Sequence, residues 1–269
     1  MDMTRLADYR MVDHVTLALE RGVPDVFNHI EQLQPVALGP IVETISLAWT
    51  NRSITPFVRQ FDCQSLVQTI RAAREKPLVP HYGSNGSRQW GFICLQAATA
   101  DVLREPLHGF ELAARKAMRF RVSANKAKAK ICGAFQEMVD NVLDHSGAPH
   151  TGIAGFLGST EHFEVSVGDA GMGMLASLQS NPALSYLSDA GSAMVVGLAD
   201  GNSRFGLGQD RGYGFGTLFR ALNTLDADLR FRSGDYALEV GGRSLSLRNA
   251  RILQKAAQQG FVVSLKLTL

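Results

Sequence analysis

The stretch Glu137-Met-Val-Asp-Asn141-Val-Leu-Asp-His145 decides how the rest of the chain is read. At about 100° per residue, Ile131, Phe135, Met138, Val139, Val142 and Leu143 fall on one stripe of a helix. Glu137, Asn141 and Asp144 gather on another side. Such a helix is fixed by its apolar stripe and presents a carboxylate and an amide one turn apart. Carboxylate and amide oxygens are the ligands that a hard cation such as Mg²⁺ takes. A solvated helix face carries the same residue types, so the pair gains chemical meaning only from motifs further along the chain.

Two strand patterns come next, at residues 151–157 and 162–167, the second with clean alternation of apolar and polar positions. It runs straight into Gly168-Asp169-Ala-Gly171-Met-Gly173. A carboxylate at a strand end accepts a hydrogen bond from the exocyclic amine of a purine, and glycines let the backbone come close to base and ribose. Turns use the same residues. Short helices are expected at residues 174–179 and 188–199. Beyond them stands Arg211-Gly212-Tyr-Gly214-Phe-Gly216, with three alternating glycines that open a helix. A helix N-terminus offers unpaired N–H groups and a positive dipole end, a seat for phosphate. No βαβ frame precedes these glycines, which argues against a Rossmann unit. The chain closes on strand patterns at residues 229–234, 236–240 and 260–267, with a polar, Gly-rich hairpin region at 241–259.

Toward the start of the chain, residues 12–20, 24–34, 63–75 and 97–104 read as helices. Residues 42–49 and 90–95 read as strands. Gly83-Ser-Asn-Gly86-Ser lacks the ending of a phosphate loop and reads as a turn. His14, His29 and His81 are isolated and none lies in a phosphoacceptor pattern. Pro106 and Gly109 mark a candidate boundary between a small α/β domain (residues 1–109) and a second domain (110–269). After the boundary, Arg115, Lys116, Arg119, Arg121, Lys126, Lys128 and Lys130 form a basic stretch without an acid. It fits a solvated face, a docking surface for an acidic partner, or steering of a phosphate. Ser123 is placed to cap the helix that carries Glu137.

Composition narrows the classes. A chain of 269 residues with 45% hydrophobic and 19% charged residues is long enough for real cores. A net charge of +2 gives no bulk attraction to nucleic acid or membrane. The cysteines, Cys63, Cys94 and Cys132, are scattered and form no CxxC, which points to reduced thiols and a cytoplasmic protein. The chain opens without a signal-peptide pattern and holds no apolar run of membrane-spanning length.

Taken in order, Glu137-x-x-x-Asn141, Asp169-x-Gly171-x-Gly173 and Gly212-x-Gly214-x-Gly216 resemble the motifs of the GHKL, or histidine-kinase-like, ATPase family. The resemblance covers residues 110–269. In style it is nearest to stand-alone bacterial histidine-kinase-like ATP-binding proteins and anti-sigma-factor kinases. It implies an α/β Bergerat fold, a two-layer sandwich with helices on one face of a mixed sheet, and a cofactor, Mg-ATP. It also implies roles. Asn141 would ligate Mg²⁺, Glu137 would act as general base, and Asp169 would take the adenine amine. Gly171 and Gly173 would line base and ribose, Arg211, Gly212, Gly214 and Gly216 would meet the phosphates, and residues 175–211 would form a lid. The chain departs from the family at Asp144, where histidine kinases often carry Lys or Arg, and at Gly260-Phe261, where the family often has Gly-Thr. The second departure implies a missing or water-borne hydrogen bond on the adenine side. The implied function is phosphotransfer to a separate protein partner in bacterial signalling; an ATP-driven conformational switch with slow or no hydrolysis is the alternative. Neither membrane nor nucleic acid is an expected partner, and a homodimer is compatible with both functions.

Overall fold

A computed structural model describes residues 5–23, 33–35, 37–50, 64–96, 100–118, 125–198, 226–242 and 249–268. Six strands form one antiparallel sheet. In chain order these are β3 (His81–Asn85), β4 (Arg88–Cys94), β5 (Ile153–Gly158), β6 (His162–Asp169), β7 (Ala227–Gly242) and β8 (Arg251–Thr268). Their spatial order is β3-β4-β5-β6-β8-β7. A separate parallel pair joins β1 (Arg5–Ala7) to β2 (Leu33–Pro35).

Period-2 alternation sends the two sides of each strand to different cores. Phe163, Val165 and Val167 of β6, with Phe261, Val263, Leu265 and Leu267 of β8, join one apolar cluster. That cluster is roofed by α4 (Ala100–Ala117), α5 (Asn125–His145), α6 (Gly173–Gln179) and α7 (Ala190–Leu198). Trp90, Phe92, Cys94, Ile153, Leu157 and Val262 point the other way. They meet α1 (Tyr9–Glu20), α2 (Leu38–Thr50) and α3 (Gln64–Glu75). The chain is therefore an α/β protein with helices on both faces of an antiparallel sheet. The described helices from residues 110–269 lie on one face, and the chain's first part supplies a second helical layer on the other. The sheet is antiparallel where a mixed one was expected.

The expected division at residue 109/110 falls inside α4, and β4, from before it, pairs with β5, from after it. Pro106 lies within α4. The missing N–H is tolerated because Leu103, Leu107, Phe110, Ala114 and Ala117 bury one continuous stripe.

Helix α2 replaces the strand expected at residues 42–49. Every residue from 38 to 48 is buried, so the segment has no polar side to betray its period. Pro40 sits in the first turn, where a missing N–H costs nothing. The free N–H of Leu38 donates to Glu164 Oε2 at 2.6 Å. A carboxylate at a helix N-terminus also complements the dipole. Gly39 admits the Tyr9 ring, whose hydroxyl a Cβ at 39 would overlap.

Other differences are smaller. Residues 33–35 are a strand and not a helix end, while 24–32 lie outside the described residues, as does Ser123. Residues 251–259, expected as part of a polar, Gly-rich hairpin region, extend β8 and pair with β7. Among the described residues no helix is long and apolar enough to cross a membrane.

Candidate functional site

Helix α5 carries Glu137 and Asn141. Its residues Ile131, Phe135, Met138, Val139 and Val142 are buried, each contributing about 1.5–3 kcal/mol, and they fix the helix on the sheet. Glu137, Asn141 and Asp144 are half-buried on another side. The Asn141 side-chain amide donates from Nδ2 to the Glu137 carbonyl, one turn back, at 2.6 Å. That bond leaves Oδ1 as the atom able to accept or ligate. Burial pushes the Glu137 carboxyl up from its ordinary value, and the neighbouring Asp140 and Asp144 add to the shift.

Asp169 lies at the end of β6, on the same face as Phe163, Val165 and Val167. It is 1% exposed. Burial raises its carboxyl to about 7, against the lowering effect of a hydrogen bond from the Gly171 N–H to Oδ1, which is 2.7 Å long. A carboxylate held this way is not a stability device. A buried charge with no cationic partner among the described residues marks a candidate binding or catalytic group.

The structure brings the end of α5 against the Asp169 loop. Met172 N–H donates to the Ser146 carbonyl at 2.8 Å. A Cβ on Gly171 would overlap that same carbonyl, so glycine is required there by packing alone. Ala170 N–H donates to Thr151 Oγ1 at 2.9 Å, and Thr151 donates onward to the Ala148 carbonyl at 2.8 Å. Gly173, at φ +73°, starts α6. Gly171 and Gly173 thus have an architectural role whether or not a base lies over them.

Register defines the floor. Asp169 pairs with Phe261 of β8, and Phe261 pairs with Ser233 of β7. The three form one row across neighbouring strands on one face. Phe261 packs its ring against Phe231 at 4.9 Å. Ser233 therefore supplies a hydroxyl opposite Phe261, at the level where the sequence implied a lost hydrogen bond. The sequence showed Ser233 only as part of a strand-to-turn pattern. Arg211, Gly212, Gly214 and Gly216 lie outside the described residues. Among the described residues, no three His, Cys, Asp or Glu side chains form a metal cluster. A site built on Asn141 and ligand phosphates does not need one.

A second polar assembly sits on the opposite face. Arg230, 4% exposed, meets Glu43 from α2 at 3.2 Å, Asp13 from α1 at 2.6 Å, and Glu239. Its guanidinium lies over the Tyr9 ring at 4.4 Å. Burial works against the charge, but the Glu43 and Asp13 carboxylates hold Arg230 protonated. Arg232 approaches Glu43 at 3.5 Å and donates to the carbonyls of Gly234, Tyr236 and Ala256. This cluster borders a cleft of about 830 Å³ between α1 and strands β7 and β8. Each charge is answered by its neighbours, so the assembly reads as the fastening of the helical layer to the sheet.

No protein-family model matches the chain, and no curated protein matches it.

Proposed function

We propose that the chain is a Mg-ATP-binding signalling protein of the histidine-kinase-like type, with a Bergerat ATP-binding fold in its second part. It transfers the γ-phosphoryl group to a serine or histidine of a separate protein in the cytoplasm. The observation that carries this reading is Asp169. A buried carboxylate with a raised pKa, at a strand end beside Gly171 and Phe261, suits an exocyclic amine above an apolar floor. The donor set fits the rest of the ligand. Asn141 Oδ1 is an oxygen ligand of the kind Mg²⁺ takes. Glu137, half-buried with its carboxyl raised, is suited to accept a proton from a hydroxyl or water. Arg211 and the glycines at 212, 214 and 216 would meet the phosphates, on the sequence resemblance alone. Bound Mg²⁺ would neutralise charge that develops on the transferring group.

A specific observation also favours the switch reading, in which nucleotide binding changes an interface. Ser233 faces the Asp169 side of the sheet, while its neighbour Arg232 faces Glu43 of the first helical layer. In such a switch, nucleotide binding at one face would shift Ser233 and, through the shared backbone, Arg232 at the other.

The deciding experiment incubates the purified chain with γ-labelled ATP, with and without a cell lysate. Transfer predicts a labelled protein, and Glu137→Ala should keep binding while losing turnover. Binding without labelled phosphate or a labelled partner leaves the switch. Absence of binding by the wild type overturns both.

A further inference from the structure

We propose that Ser233 is a positioning residue for the Asp169 end of the site, its hydroxyl tying the first turn of α6 to β8 and so holding the Asp169 loop closed. Ser233 is 1% exposed. Its Oγ donates to the Gly260 carbonyl at 3.0 Å and accepts from Met174 N–H at 2.9 Å. One buried hydroxyl thus joins two backbone segments, both of which border Asp169. Gly260, at φ +85°, lies so close to Asp169 that a Cβ there would overlap the Asp169 carbonyl. Gly173 comes within reach from the other side: a Cβ on it would stand 2.9 Å from Ser233 Oγ and 3.0 Å from the Gly260 carbonyl. The left-handed glycines let these backbones converge, and Ser233 Oγ is the atom on which they converge.

Ser233 stands two strands from Asp169, about 9–10 Å at ordinary strand spacing. It acts through Gly260 and Met174 and does not touch the carboxylate. Without the hydroxyl, the Met174 N–H and the Gly260 carbonyl seek water, α6 separates from β8, and water reaches Asp169. Burial is the main cause of the raised Asp169 carboxyl, so hydration lowers it.

The sheet contains its own control. Ser166 and Ser264 are also buried, with their hydroxyls 2.7 Å apart, and Ser166 donates to the Val263 carbonyl at 3.0 Å. They lie on the opposite face, away from the Asp169 loop. Ser166→Ala removes an equally buried hydroxyl from the same sheet without touching the site.

The nucleotide arm of the test rests on the proposed function; the titration arm does not. The full chain, Ser233→Ala and Ser166→Ala are compared by thermal unfolding, MgADP calorimetry and carbon-13 titration of the Asp169 carboxyl. Both variants should lose some thermal stability. Ser233→Ala alone should weaken MgADP about tenfold, the size of one buried hydrogen bond, and lower the Asp169 midpoint. Should Ser233→Ala fold poorly, Ser233→Cys keeps the volume with weaker bonds and should shift the midpoint part of the way. An unchanged midpoint in these variants, or an equal shift in Ser166→Ala, overturns the proposal. If the wild type does not bind MgADP, the nucleotide reading falls and the titration alone decides the role of Ser233.

Discussion

The two faces of the sheet each bury a carboxylate to 1% exposure, and they treat it in opposite ways. Glu43, beneath the first helical layer, meets the guanidinium of Arg230 through both oxygens at 3.2 Å and that of Arg232 at 3.5 Å. Asp169, beneath the second, takes a backbone N–H at 2.7 Å and, among the described residues, no ion pair. The first carboxylate is matched and locks a helix to a strand. The second is left to a raised pKa, the mark of a group retained for something other than stability. Burial alone does not separate structural from functional charge; the partner does.

The sharpest way to break this contrast is to remove each carboxylate. Glu43→Ala leaves Arg230 and Arg232 buried without their shared partner, and should destabilise the fold by about 3–5 kcal/mol in urea unfolding. A loss under about 1 kcal/mol would mean that Asp13 and the strand carbonyls satisfy both arginines on their own.

Asp169→Asn should move stability the other way, by about 1 kcal/mol at pH 8, because it removes a buried charge that has one hydrogen bond among the described residues. The pH dependence has a definite sign. The folded carboxyl titrates at about 7, above its ordinary value, so between about pH 4 and pH 7 the folded state holds a proton that the unfolded chain has released. This group therefore makes the wild type more stable toward pH 4, and that contribution is lost as pH rises through 7. Unfolding measured across this range should show the slope in the wild type and its disappearance in Asp169→Asn. A slope that survives the substitution assigns it to another group.

The smallest effect is expected at the rim. Arg251, which lies 3.3 Å from Glu239, is 74% exposed, so Arg251→Ala should change stability by no more than about 0.5 kcal/mol. A larger loss would extend the structural network outward from Arg230.

The face that carries Asp169 was the more legible in the sequence. The stripe from Ile131 to Val142 has a clear helical period, β6 alternates, and Asp169 interrupts an apolar run at its end, so each local signal agrees with the fold. The face that carries Glu43 hides its signals. Helix α2 is buried all round and carries Val42, Thr44 and Ile45, which read as strand formers. Arg230 and Arg232 at alternate strand positions look solvated until α1 and α2 are seen to cover them. Residues 251–259 read only as part of a polar hairpin region because most of their polar side chains stay at least partly exposed, while the strand there is made by backbone pairing to β7. Ser233 and Gly260 gain their meaning only from register, which joins residues far apart in the chain.

Under the proposed function, Asp169 would recognise the base of the nucleotide. Titration calorimetry with MgADP at pH 8, where the carboxylate is ionised, tests that role most directly. The wild type should bind with about micromolar affinity, and Asp169→Asn, whose folded state remains intact, should show no detectable binding. Equal binding by the two proteins, or none by the wild type, would contradict the claim.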